Sequence, residues 1–323
     1  MRVLVTGGAG YIGSVTAEQL VAAGHQAVVL DDLSKGHREA IPREAEFEQA
    51  SLSDAAAIDR VLKRGADAMM HFAGLIEAGE SMKKPEIFFR ANAFNTLTLL
   101  EMMLKHNVKT IVFSSTAAVY GDPEKIPIEE NGALKPTNAY GESKLLVEQM
   151  LSWFHRVHGF RYCSLRYFNA AGATEARGEA HEPESHLIPL VLQVAVGKRD
   201  SVVIYGSDYP TEDGTCVRDY VHVGDLAAAH LLALEALKSR DKMIYNVGTG
   251  NGASVREVVE AARRITGHAI PAVEMARRAG DPAKLIASSE KIRRELGWKP
   301  KYNTVDQIVK SAWEWQCRHP NGY

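Results

Sequence analysis

Two short segments of this chain carry the chemistry. Tyr140-Gly-Glu-Ser-Lys144 sets a phenol and an ammonium four residues apart. On a helix they share one face, one turn apart. A free tyrosine has a pKa of about 10 and is a poor base at neutral pH, and bringing it near 7 takes about 4 kcal/mol of preferential phenolate stabilisation. A neighbouring ammonium supplies part of that. Tyr140 then reads as a general base for a hydroxyl proton, with Lys144 as its partner. Upstream, Phe113–Gly121 opens with three consecutive hydroxyl residues, Ser114, Ser115 and Thr116. At the carboxyl edge of a parallel sheet such a hydroxyl can hold a substrate oxygen; capping a turn is its more ordinary use.

The second segment is Gly7-Gly-Ala-Gly10-Tyr-Ile-Gly13. Small residues let a backbone approach a pyrophosphate, and a helix N-terminus beyond them offers unpaired N–H groups. Asp31 follows Gly7 by 24 residues, at the end of a second apolar run. A carboxylate there accepts hydrogen bonds from ribose hydroxyls and repels a 2′-phosphate, which points to NAD rather than NADP.

The elements that must position these groups alternate. Strand-like runs at Arg2–Thr6, Ala27–Leu30, Ala68–Ala73, Thr110–Ser114 and Tyr162–Phe168 are separated by helical spacing at Tyr11–Ala23, Asp54–Lys63, Pro85–Lys105 and Ser143–His158. This predicts an α/β fold, a doubly wound parallel sheet of Rossmann type. After Asn169 the chain turns polar, and Gly172–Glu184 reads as a loop. A dinucleotide-binding domain over 1–170 is expected, joined by returning elements over about 219–248, with Asp219–Leu237 as a helix and Met243–Val247 as a strand. Residues 171–323 then form mainly a smaller C-terminal lobe that binds substrate. The helices over about 85–105 and 143–158 are apolar around a wide arc, Leu146, Met150, Trp153 and Val157 forming one face of the second. A helix of that kind is buried on two sides, which suggests a homodimer.

Composition narrows the function class. The 323 residues carry 38 basic and 40 acidic side chains, a formal charge of −2, with no basic block. Nucleic acid is therefore not an expected partner. No apolar run is long enough to span a membrane, and the N-terminus lacks a secretory pattern. Cys163, Cys216 and Cys317 are odd in number and widely spaced, so they read as free thiols in a reducing cytoplasm. His155 with His158, and His181 with His186, suggest no third ligand, and no metal is expected.

Taken together, the glycine pattern, the hydroxyl-rich strand end and Tyr-x-x-x-Lys resemble the extended short-chain dehydrogenase/reductases. Phe72-Ala-Gly-Leu75, Leu165-Arg-Tyr-Phe-Asn169 and Asp208–His222 narrow the resemblance to the UDP-hexose 4-epimerases, from Met1 to about Trp315. That resemblance implies interconversion of UDP-glucose and UDP-galactose with NAD held tightly. Tyr140 would take the 4-hydroxyl proton, Lys144 would bind the nicotinamide ribose, and Thr116 stands where the family usually has Ser. It places Tyr11, Ile12, Asp31, Phe72, Ala73, Gly74, Asn92 and Phe168 at the cofactor. It places Asn169, His186, Leu187, Val203, Tyr205, Arg218, Arg278 and Asp281 at the UDP-sugar. Two arginines suit a diphosphate. Ser51-Leu52, Ile76, Ser185-His186 and Leu285 depart from the commoner family residues. A related 4,6-dehydratase would carry Asp-Glu directly after Thr116, where this chain has Ala117 and Ala118. A non-catalytic NAD-sensing protein would commonly lack Tyr140 or Lys144.

Overall fold

The computed structural model describes residues 1–278 and 281–323. β1 (Arg2–Thr6), α1 (Tyr11–Ala22), β2 (Gln26–Asp31), β3 (Glu46–Gln49), α2 (Ala55–Lys63) and β4 (Ala68–His71) open the chain. Two short helices, α3 (Ala78–Ser81) and α4 (Pro85–Phe88), lead through a π-helical turn at Phe89–Phe94 into α5 (Asn95–Lys105). β5 (Thr110–Ser114), α6 (Ala139–His158) and β6 (Arg161–Tyr167) follow. The later elements are β7 (Asn169–Ala171), α7 (Leu187–Ala195), β8 (Val202–Tyr205), β9 (Val217–His222), α8 (Val223–Ala236) and β10 (Lys242–Val247). β11 (Gly252–Ser254), α9 (Val255–Thr266), β12 (Ala272–Met275), β13 (Lys284–Leu285), α10 (Glu290–Leu296) and α11 (Val305–Arg318) complete the chain.

Seven parallel strands form the main sheet in the order β10-β6-β5-β4-β1-β2-β3. Both faces are covered, which is why the strands read as nearly continuous apolar runs. Alternation sorts their side chains between two layers. Val3 and Val5 pack with Leu226, Ala229 and Ala233 of α8, whereas Leu4 packs with Ile58 of α2, Leu99 of α5 and Val147 of α6. The chain winds outward from β1 to β3, then crosses back to β4 on the other side of β1. That reversal opens a crevice beyond the carboxyl ends of β1 and β4.

Three expected elements differ in detail. The helix predicted over Asp219–Leu237 begins only at Val223, because Asp219–His222 belongs to β9. β9 pairs with β7, β11 and β13 in a second sheet, and the His222 ring ends it by accepting from the Gly224 amide at 3.0 Å. The predicted helix over Pro85–Lys105 is interrupted by the π turn, which holds Asn92. The helix expected at Ser143 starts earlier, at Ala139, where the Asn138 side chain accepts from the Gly141 amide at 2.8 Å. Tyr140 thereby enters the first turn of the helix that carries Lys144. Gly172–Glu184 contains neither helix nor strand. Among the described residues, no helix is long and apolar enough to cross a membrane.

Candidate active site

The glycine loop joins β1 to α1 over the crevice. A Cβ on Gly7 would stand 2.5 Å from the Ala73 amide, and one on Gly13 would stand 2.1 Å from the Gly7 carbonyl oxygen. These two glycines are required by the packing of backbone on backbone. A Cβ on Gly10 would meet only the Gly7 oxygen, at 3.3 Å, so its other side is open. α1 starts there with no side-chain cap and no acidic residue in its first turn. Its amides and the positive end of its dipole are thus free for an anion. Asp31 closes the far side. Its carboxylate accepts from the Ala9 amide at 3.0 Å and the Leu33 amide at 2.9 Å. Burial raises its proton affinity, and these two amides work against that rise.

The crevice encloses about 370 Å³. Gly7, Gly10, Tyr11, Ile12, Gly13 and Asp31 line one end, and Phe72, Ala73, Gly74 and Phe168 line its walls. Tyr140, Thr116, Asn169 and His186 reach it as well. Ser51, Leu52 and Ile76, three departures from the commoner family pattern, also face it. Two expected cofactor residues stand behind the wall. The Asn92 side chain accepts from the Leu75 amide at 2.7 Å and donates to the Leu75 carbonyl at 2.9 Å and to Ser143 Oγ at 3.0 Å. It thereby fixes the loop after β4 against α6. The Lys144 ammonium is buried, donates to the Ser114 carbonyl at 3.1 Å, and lies 5.0 Å from the centre of the Phe113 ring. A Cβ on Gly74 would come within 2.8 Å of Asn92 Oδ1 and 3.5 Å of Lys144 Nζ, so both groups press on the wall from behind.

Thr116 takes the ordinary role foreseen for a strand-end hydroxyl, a turn cap, and it also reaches the crevice. It accepts from the Ala118 amide at 3.1 Å, capping the turn over Ala117–Tyr120, and it faces Tyr140 in the crevice. The electrostatics differ from the expected pattern. Burial pushes the Tyr140 phenol well above its ordinary value; Tyr167 and Glu77 add to this, and only the Thr116 hydroxyl works against it. Burial lowers Lys144 to about 8. Lys144 spends its hydrogen bond on the Ser114 carbonyl, so the phenol gains no pull from it in this arrangement.

The remaining expected residues form a second cluster. Leu187, Val203, Tyr205, Arg218, Arg278 and Asp281 do not line the crevice. The Arg218 guanidinium, on β9, is buried and pairs with Asp281 at 3.0 Å. The Asp281 amide donates to the Arg278 carbonyl at 3.3 Å, and the Arg278 guanidinium covers the Tyr205 ring at 3.9 Å. β8 carries both Val203 and Tyr205, and Leu187 opens α7. Leu285 links the two clusters. It registers beside Arg218 between β13 and β9, and it packs on the group that holds Ala117 and Phe168.

Two arrangements had no signal in the sequence. Glu179 comes beside His181 and His186, all three facing the crevice. Beneath Thr116, Glu148 and Arg166 form a buried ion pair at 2.6 Å. Ser115 donates to Glu148 at 2.6 Å, and Arg166 donates to the Tyr120 hydroxyl at 2.9 Å. Burial alone would lower the Arg166 guanidinium, but the carboxylate holds it above its usual value.

Residues 3–248 match the model of the NAD dependent epimerase/dehydratase family. A UDP-glucose 4-epimerase of Halalkalibacterium halodurans is 51% identical, over 100% of this chain and 98% of that one. One of Lacticaseibacillus casei is 50% identical over 100% and 99%. The crystal structure of UDP-glucose 4-epimerase from Bifidobacterium longum, in complex with NAD+ and UDP, superimposes with a TM-score of 0.96 at 40% identity, covering 100% of both chains.

Proposed function

This chain belongs to the NAD dependent epimerase/dehydratase family, and from that premise we propose that it interconverts UDP-glucose and UDP-galactose by inverting C4. The observation that carries the reading is Tyr140 facing Thr116 inside a crevice whose other end is the open glycine loop beneath Asp31. NAD is the cofactor, and the residues fit it. The open side of Gly10 and the uncapped start of α1 suit a pyrophosphate, and Asp31 suits a ribose. When bound, NAD supplies a hydride acceptor that takes and returns the hydride of C4.

The chain's own residues handle the proton. Inversion has no net redox change, so one group must accept the 4-hydroxyl proton and later return it; that group is Tyr140. Thr116 orients the same oxygen. Lys144, one turn along α6, holds a positive charge behind the crevice; only by turning from the Ser114 carbonyl toward the cofactor side would its ammonium oppose the rise that burial imposes on the phenol. Ala117 and Ala118 bring neither acid nor base to the positions after Thr116 where a 4,6-dehydratase would carry Asp-Glu, which argues against elimination of water. The second cluster takes the nucleotide diphosphate, with Arg218 and Arg278 as cations and Asn169 and His186 toward the crevice. Residues 1–170 with the returning 219–248 serve NAD, and the rest of 171–323 serves the UDP-sugar.

Two finer statements belong with this reading. The molecule is a homodimer joined through the helices over about 85–105 and 143–158. Support comes from Trp153, Val157 and Phe94, which are 62%, 65% and 64% exposed on neighbouring helices. Its compartment is the cytoplasm, a reading supported by three unpaired cysteines. Proton NMR of UDP-galactose, followed at the anomeric signals with protein and NAD, tests the activity. A UDP-glucose/UDP-galactose mixture forming without net NADH supports it. No conversion by protein shown to hold NAD would overturn it, in favour of 4-epimerisation of another UDP-hexose if UDP-N-acetylglucosamine or UDP-glucuronate is turned over, and otherwise of a non-catalytic NAD-binding role.

A further inference from the structure

The segment between β7 and α7 is tied across the outer end of the crevice. Lys35 donates to the Glu182 carbonyl at 3.1 Å, and the His37 ring lies 2.9 Å from the Ala180 carbonyl. Within this segment three side chains converge. One oxygen of the Glu179 carboxylate meets His181 Nδ1, and the other lies 4.0 Å from His186 Nδ1. The ligand atoms of all three lie within 4.8 Å of one another. Glu184 stands beside them. Its Oε1 is 2.8 Å from His186 Nδ1 and accepts from the amides of Ser185 and His186 at 2.7 Å each.

Charge decides what this cluster holds. The side chains of Glu179 and Glu184 are only 9% and 5% exposed. Among the described residues, their ion-pair partners are imidazoles alone, with no lysine or arginine. Two carboxylates so buried need two positive charges. Two histidinium protons supply them, and so does one divalent cation, which leaves both imidazoles neutral and ligating.

We propose that Glu179, His181 and His186 form a site for a zinc-class divalent cation at the mouth of the crevice, with Glu184 as the fourth protein group. Imidazole nitrogens select zinc, cobalt or nickel, whereas magnesium and calcium ask for oxygen ligands. Zinc takes imidazole nitrogen and carboxylate oxygen at about 2.0–2.2 Å, which sets tetrahedral ligand atoms about 3.4 Å apart. The cluster closes to that size by a small rotation of the half-exposed His186 ring, which trades its contact with Glu184 for the cation. The cation then staples the segment onto the crevice and slows exchange of what lies beneath. That consequence rests on the dinucleotide reading; the site itself does not.

The test is calorimetric titration of Zn2+ into the EDTA-treated full-length protein, against a competing chelator and without substrate. Visible absorption of a Co2+-loaded sample reports tetrahedral coordination. One ion per chain is expected. Glu179→Gln, His181→Gln and His186→Gln should each weaken binding at least tenfold, while His158→Gln leaves it unchanged. Absence of saturable binding, or saturable binding that the three substitutions leave untouched, would overturn the proposal. Circular dichroism of each variant separates loss of ligand from loss of fold. Turnover of UDP-galactose is read independently, so a failed cation site leaves the epimerase reading standing.

Discussion

Replacing Tyr140 with Phe removes one oxygen and nothing else from the crevice. The local fold does not depend on that oxygen. The Tyr140 amide donates to Ser81 Oγ at 3.1 Å, and its carbonyl accepts from Ser143 Oγ at 2.7 Å; both are backbone contacts that the substitution keeps. The hydroxyl itself faces Thr116, and losing one such partner costs about 0.5–1.5 kcal/mol of stability. The kinetic cost is larger. A positioned general base contributes roughly 10²–10⁴ in rate, or about 3–5 kcal/mol of barrier. The variant should therefore melt close to the wild type, retain NAD, and lose turnover by two to four orders of magnitude. Three readouts establish this: a thermal melt, the cofactor absorbance of the denatured protein, and kcat from the anomeric NMR signals. A folded, NAD-holding variant with more than about a tenth of wild-type kcat would refute the assignment of the base, because no loss that small fits removal of the only proton acceptor.

Other outcomes follow from the same structure. Burial holds the Tyr140 phenol well above its ordinary value and lowers Lys144 to about 8, so turnover should fall as pH rises through about 8 and Lys144 loses its charge; a pH profile of kcat in Lys144→Met should lack that falling limb, and its persistence would assign the limb elsewhere. Glu148→Gln leaves the Arg166 charge buried without its counter-ion, at a cost of about 3–5 kcal/mol. The melting temperature should then drop by roughly 4–7 °C, and a drop under 2 °C would show that the network beneath Thr116 is not structural. Trp153→Glu places a charge on the exposed apolar face of α6 and should convert a dimer mass to a monomer mass in light scattering. A wild-type protein already monomeric at micromolar concentration would refute that interface.

Much of the site is legible along the chain because its parts obey local rules. A backbone that must touch Ala73 and Gly7 excludes every side chain at Gly7 and Gly13, so glycine spacing alone marks the loop. Asp31 announces itself as the polar end of a buried strand. Tyr140 and Lys144 share a face because four residues make about one helical turn. Buried parallel strands read as apolar runs, and their alternation with helices yields the doubly wound sheet. Boundaries were less legible: β9 hides inside a stretch that also suits a helix, and only pairing with β7, β11 and β13 draws Asp219–His222 into a sheet.

What tertiary structure alone decides are meetings between residues far apart in sequence. Asn92 grips Leu75 and Ser143 from a π turn that no periodicity signals. Arg278 covers Tyr205 only because Arg277–Arg278 follows β12, the partner strand of β8. Lys144 could be foreseen beside Tyr140, yet its hydrogen bond to the Ser114 carbonyl and its place behind the crevice wall depend on where β5 ends. Two histidines in a polar loop suggested no third ligand, and a segment without regular secondary structure folded Glu179 back between them. Local periodicity determines which face of an element turns inward. It says nothing about which distant side chain waits there, because that depends on the packing of every layer at once.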